Sequence, residues 1–269
     1  MLEVIRIAEG DTASVRLEHF VYGNDKGYRM MGQSDPKNLE MYTEPYRGFY
    51  LPVSQSYVKE IKEPLRVIVS GGSFILFSRI SQSQDEIGRL SLENHSAVVP
   101  RNLLSEGKID YEALDRAMEE FESTHHSRKG NIPQMEIPIQ ARDLGQSLAE
   151  LSKYLPREKI EALISLYTKD TKKKIILQLP RANFQERTKI AYLLSLLIDI
   201  KLGVVPISVF PDVPYPDATD VFSLIITQKD PGIKPTRRWA MIVFDPIKER
   251  FSAGTTSVED TLDSIFKSD

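Results

Sequence analysis

Four histidines, at 19, 95, 125 and 126, are the side chains of this chain best suited to moving protons near neutral pH. His95 follows Glu93 by two residues, and on an extended strand that spacing puts both side chains on one face. A carboxylate beside an imidazole can orient a general base. A hydrolase or transferase whose site gathers Glu93, His95, Arg89 and His19 is therefore one reading. Packing is the other. His95 shares its strand face with Ala97 and Val99, and His19 shares one with Leu17 and Val21. Histidines so placed commonly serve as hydrogen-bonded packing residues. No G-x-S-x-G elbow offers the pair a nucleophile.

Other chemistry is narrowed by composition. The chain has 269 residues and no cysteine, which excludes disulfides, thiolate metal sites and a cysteine nucleophile. Adjacent side chains at His125-His126 diverge, so no metal site is expected there, and no cofactor is expected. Ser70-Gly71-Gly72-Ser73 lacks the lysine and following helix of a P-loop and reads as a hairpin turn. Lys172-Lys173-Lys174 and Arg237-Arg238 are the short basic clusters. With a formal net charge of −3 they do not make the basic face that a nucleic-acid binder needs, and no nucleic-acid partner is expected. The stiff loop Asp212–Asp217 presents Tyr215, an aromatic suited to protein recognition.

These residues need elements to hold them. In the first half, apolar and polar residues alternate over Leu2–Ala8 and Val15–Tyr22. Gly23 to Gly27 reads as a hairpin loop with both glycines free to take positive φ, leading into a strand Tyr28–Ser34. Further strands are expected at Leu65–Val69, Phe74–Ile80 and Arg89–Val99. Tyr111, Leu114, Met118 and Phe121 recur at helical spacing and predict a helix to Ser123. Residues 125–134 lose periodicity, contain Gly130 and Pro133, and read as a linker between a strand-rich domain, 1–124, and a mixed domain, 135–269. The mixed domain alternates helices (Asp143–Lys153, Pro156–Tyr167, and one capped by Asn183 with Glu186) with strands (Lys173–Leu179, Val204–Phe210, Val221–Thr227, Trp239–Phe244), before a terminal helix from Ser257. The fold class expected is α+β. The opening Met1–Asp11 reads as a strand rather than an export signal, and no apolar run approaches a membrane span. A cytoplasmic protein is expected.

Three stretches carry a family resemblance. Tyr22-Gly23-x3-Gly27-Tyr28-Arg29-Met30-Met31-Gly32-Gln33-Ser34 resembles the opening of the N-terminal modules of bacterial GTPase-associated proteins. Asp85-x2-Gly88-Arg89 followed by His95-x3-Val99 resembles their glycine-arginine strand ending in histidine. Leu151-x3-Leu155-Pro156 to Ser165-x2-Thr168, with Leu194 to Ser208, is similar to a helix leading into a serine-containing strand. Met30-Met31-Gly32 departs from the usual leucines and small residues. The resemblance transfers no catalytic residue. It implies a non-catalytic adaptor that accompanies a GTPase or AAA-type ATPase, with Tyr28, Arg29, Arg89, Asn94, His95 and Tyr215 as candidate contact residues.

Overall fold

In the computed structural model the chain divides into two compact units, Met1–Ser147 and Leu148–Asp269. The residues described are 4–5, 13–35, 39, 47, 50–51, 55–71, 74–105, 108–125, 129–139, 144–161, 163, 174–202, 205–209, 223–229, 239–243, 250–253 and 256–257. Both strands and helices are present, and the class is α+β.

The first unit contains β1 (Val4–Ile5), β2 (Ser14–Asn24), β3 (Tyr28–Gln33), β4 (Leu65–Gly71), β5 (Phe74–Gln84), β6 (Leu90–Pro100), β7 (Gly130–Asn131) and β8 (Met135–Pro138), with helices α1 (Arg101–Ser105) and α2 (Tyr111–Thr124). Its sheet runs β4-β5-β6-β2-β3-β7, antiparallel except for the parallel β3–β7 contact. β1 and β8 pair with the first residues of β2. From Ser91 to Pro100 every residue of β6 is buried. A strand covered on both faces has no solvent side for its polar residues, so Glu93, Asn94, His95 and Ser96 must be satisfied internally.

Register divides the two faces. Arg66, Arg79, His95 and His19 share one face, because Arg66 pairs with Arg79, Arg79 with His95, and Ala97 with His19. α2 packs on this face through Tyr111, Leu114, Asp115, Met118 and Phe121. The other face carries Phe20, Tyr22, Ser78, Asn94 and Ser96. There Tyr50 packs on Phe20 and Tyr22, and its carbonyl accepts the Asn94 amide at 2.6 Å.

β2, β3, β4, β6 and the main helix stand within two residues of where periodicity placed them, while β5 runs four residues past the expected Ile80, to Gln84, and of the expected Leu2–Ala8 only Val4–Ile5 is described. The expected linker, in its described residues 125 and 129–134, holds a strand. Gly130–Asn131 pairs with β3, Met135–Pro138 pairs with β2, and the units divide after Ser147. The two-residue β7 pairs through its backbone and needs no side-chain alternation, so its polar composition concealed it. At the first hairpin, the left-handed positions are Lys26 (φ 58°) and Gly27 (φ 123°) rather than both glycines. A Cβ at Gly23 would lie 2.9 Å from the Met31 sulfur, a contact that the flexible methionine side chain can relieve by moving.

The second unit contains β9 (Lys174–Gln178), β10 (Val205–Val209), β11 (Leu224–Thr227), β12 (Trp239–Val243), β13 (Arg250–Ala253) and β14 (Thr256–Ser257). Their order is β14-β13-β12-β9-β11-β10, with a parallel core β12-β9-β11-β10 and antiparallel strands beyond it. Ile175, Ile176, Leu177 and Leu224–Thr227 are continuously buried, as parallel strands require. Besides α3 (Leu144–Leu151), within which the division falls, residues 157–161 are helical, and α4 (Phe184–Leu202) is the crossover from β9 to β10. Its capping box is formed: the Glu186 N–H donates to Asn183 Oδ1 at 2.9 Å, and the Asn183 N–H donates to Glu186 Oε2 at 2.8 Å. Asn183→Ala is expected to cost about 1 kcal/mol, read from the urea midpoint. No shift in that midpoint would mean the box contributes nothing. Among the described residues no helix is long and apolar enough to cross a membrane. Lys172, Lys173, Tyr215, Arg237, Arg238 and the expected terminal helix lie outside the described residues, apart from Ser257 in β14.

Candidate functional site

Two cations face each other on neighbouring strands in the first unit, since Arg66 and Arg79 are register partners and both are buried. α2 supplies the anions. Asp115 and Glu122 are seven residues apart, two helical turns, and so lie on one stripe. Asp115 receives the Arg66 guanidinium through Nε at 2.9 Å and Nη2 at 3.2 Å, and Arg79 Nη1 at 2.8 Å. Glu122 lies 3.2 Å from Arg79 Nε, at ion-pair distance but off the hydrogen-bonding line. Burial alone would weaken the hold of Arg79 on its proton, and Glu122 and Asp115 more than offset it.

The histidines continue this network. Glu122 Oε1 is 3.1 Å from His95 Nδ1, His95 Nε2 is 3.0 Å from His19 Nδ1, and His19 Nε2 is 2.5 Å from the Pro133 carbonyl. Donor counting assigns the protons. A carbonyl only accepts, so His19 Nε2 carries hydrogen. Burial, then the neighbouring His95, pushes the His19 imidazole down to about 3, with the Pro133 carbonyl opposing and His125 adding a smaller push. His19 is therefore neutral, its Nδ1 accepts, and His95 Nε2 donates. His95 Nδ1 then faces a carboxylate, which also only accepts when ionised. The chain closes with one further proton between His95 Nδ1 and Glu122 Oε1. Phe121 fills the space around both rings, edge-on to His19 at 4.6 Å and tilted to His95 at 5.1 Å, and stacks on His125 at 4.3 Å.

These residues are sealed. His19 and His95 are 0% and 1% exposed. Both nitrogens of His95 have partners other than Glu93, which is itself buried on the same face. Arg89 lies six residues along the strand from His95, about 20 Å away at strand rise. Its exposed guanidinium pairs with Asp85 at 2.8 Å. The structure thus joins His19 to His95 and leaves Arg89 apart from them. Arg66, Arg79, Asp115 and Glu122 had no place among the candidates. Their signal was a lone charge inside each apolar run, Leu65–Val69 and Phe74–Ile80, and an acid directly after Leu114 on the apolar stripe.

The exposed candidates meet elsewhere. Tyr28, Arg29 and Arg89 lie at the end of the sheet where the β2–β3 and β5–β6 turns stand. The Tyr28 hydroxyl accepts the Leu92 N–H at 3.3 Å and lies 3.3 Å from the Ser91 hydroxyl, tying β3 to β6. Asp25 pairs with Arg29 and, at 3.2 Å, with Lys129, whose ammonium also reaches Glu86 at 3.0 Å. Chiefly the Arg29 hydrogen bond, with further help from Glu86 and Lys129, holds the Asp25 carboxyl well below the usual carboxylate range. In the second turn Asp85 Oδ1 accepts the N–H of Ile87 at 3.1 Å and of Arg89 at 2.9 Å, while Gly88 takes φ 78°. This fixed turn holds Ile87 outward, 73% exposed, the large hydrophobic among the described residues that is left in solvent. Asn94 is fully buried on the sheet's other face.

In the second unit, a cavity of about 320 Å³ opens after β9, lined by Lys153, Tyr154, Leu179, Arg181, Glu186 and Ile190 among others. The α4 N-terminus beside it is already closed by Asn183 and Glu186. Among the described residues no cluster of three or more His, Asp or Glu could hold a metal ion. Comparison with protein-family models, with curated proteins and with solved structures finds no match to this chain.

Proposed function

We propose that this chain is a non-catalytic interaction protein of the cytoplasm, an adaptor that docks a GTPase or AAA-type ATPase within a multi-protein assembly. The observation that carries the reading is that the turn bearing Tyr28 and Arg29 and the turn bearing outward-held Ile87 and Arg89 stand at the same end of the sheet, tied together by Lys129. Tyrosine and arginine are the residues that protein interfaces enrich at their energetic centres, and an exposed aliphatic side chain beside them adds apolar area to bury. Lys129 bridges the two turns through Asp25 and Glu86, so the surface is held in place before a partner arrives. The class of partner comes from the resemblance of Tyr22–Ser34 and Asp85–Val99. A hydrolase or transferase built on Glu93, His95 and Arg89 is less well supported, because substrate has no path to the buried imidazoles and Arg89 stands apart from them.

The test is affinity capture of the tagged chain from its native extract with a GTP analogue or GDP, read by mass spectrometry, followed by binding of the purified partner. A GTPase or ATPase should be recovered, and Ile87→Asp with Arg89→Glu should weaken its binding by about tenfold or more. Recovery of no nucleotide-driven protein in either state would overturn the partner class. Undiminished binding by the double variant would overturn the surface.

A further inference from the structure

The His19–His95–Glu122 chain joins three elements with a single exchangeable charge, and this goes beyond the docking reading. Glu122 belongs to α2, His95 to β6 and His19 to β2, and Pro133 at the far end lies between β7 and β8. With Glu122 ionised, the hydrogen bonds demand three protons on the four imidazole nitrogens. Two leaves His95 Nδ1 with a lone pair against the Glu122 carboxylate at 3.1 Å, and four sets N–H against N–H at 3.0 Å. Neither arrangement is a hydrogen bond.

We propose that the proton shared by His95 and Glu122 is a latch that fastens α2 to the sheet, and that losing it at alkaline pH releases the C-terminal turns of the helix. The charges facing the pair come from every element packed on it. On α2 they are Asp115, Glu122 and the exposed Glu119, with His125 at its C-cap. From the sheet they are Arg79 on β5, Arg66 on β4, Glu93 on β6 itself and His19 on β2. Arg66 and Arg79 keep their charge throughout the accessible pH range. Asp115 answers both, and Glu122 Oε1 stands between Arg79 Nε at 3.2 Å and His95 Nδ1 at 3.1 Å, the carboxylate within reach of the imidazolium on this side. Phe121, packed against both rings, excludes water that would otherwise repair the break.

An opened helix exposes His95 as an ordinary imidazole, which gives up its proton above about 6.5. Opening therefore releases one proton above that pH, and the opening constant rises tenfold per pH unit. Below it, opening lets neutral His19 take a proton, so the constant rises again with acid. The α2 helix should be most tightly held between the two limbs.

The experiment uses the full chain with ¹⁵N-labelled histidine. Imidazole nitrogen shifts should show both His95 nitrogens protonated and His19 with one at pH 7. Hydrogen exchange of the Phe121–Thr124 amides, corrected for the intrinsic rate, should accelerate about tenfold per unit on the alkaline side. Glu122→Gln places a side chain that can donate to a neutral His95, so in this variant the alkaline slope should vanish while the helix stays folded by circular dichroism. A bare nitrogen on His95 at pH 7, a metal ion co-purifying in one-to-one amount, or an alkaline slope unchanged in Glu122→Gln would each overturn the latch.

Discussion

Replacing Asp115 with asparagine is expected to lower the free energy of unfolding by about 3–5 kcal/mol, the range for removing one member of a buried ion pair. The size follows from what is left behind. Arg66 and Arg79 are both buried and stand opposite each other on adjacent strands, and Asp115 accepts from both. Asparagine keeps the shape and loses the charge, so two guanidiniums face one another in a site water does not reach. Glu122, 3.2 Å from Arg79, is left as a single counter-charge for the two cations, and the Tyr111 hydroxyl and the Pro64 carbonyl, 2.8 Å from Arg66, add none. Against a domain stability of about 5–15 kcal/mol the loss is large enough to unfold much of the population. Urea denaturation followed by circular dichroism measures it. The combined variant Arg66→Met, Arg79→Met, Asp115→Leu should recover most of the loss, because apolar side chains of similar volume fill the site without charge. A midpoint in Asp115→Asn equal to that of the parent chain would show that the acid is not what holds the two arginines.

The second large effect is acid sensitivity from His19. Its folded imidazole is pushed down to about 3 from 6.5 by burial first and by His95 second. Between those values the unfolded chain binds a proton that the folded chain refuses. Stability from this group is therefore complete above 6.5 and is lost progressively as pH falls towards 3. Each unit is worth roughly 1.4 kcal/mol, so at pH 5 the loss is about 2 kcal/mol. His19→Gln keeps a donor for the Pro133 carbonyl and an acceptor for His95 but cannot be protonated. Its stability relative to the parent should improve by that amount between pH 7.5 and pH 5. A gap between the two proteins that does not change with pH would show that His19 is not held neutral.

Periodicity made most of the scaffold legible. Met118 and Phe121 announced α2, and alternation announced β2 and β6, because side chains in those elements repeat with the backbone. The site was half legible. His19 and His95 stood out by chemistry, and Glu93 was offered as partner because it is near in sequence. The partner present is Glu122, twenty-seven residues on, brought by the way α2 lies across the sheet. Spacing along a strand shows which residues share a face but not which helix residue arrives above it. Asp115 was hidden for a related reason: on a helix that buries one stripe, an acid beside Leu114 looks like the edge of the solvent face until two arginines are found beneath it. In the second unit the strands were readable one by one, while their parallel order, with β11 inserted between β9 and β10, comes from crossovers that no local pattern encodes.

The pairing of β2 with β8 also sets a schedule. Val15, Arg16 and Leu17 find their partners at Ile137, Glu136 and Met135, so the beginning of the sheet is closed by residues made more than a hundred positions later. At ribosomal rates of about 5–20 residues per second, that strand waits roughly 6–24 s between its own synthesis and that of its neighbour. During that interval Val15 and Leu17, wholly buried in the finished fold, have no β8 to lie against. The sheet is thus completed from its late end, and a nascent chain stopped before Met135 carries an open seam that other strands can enter.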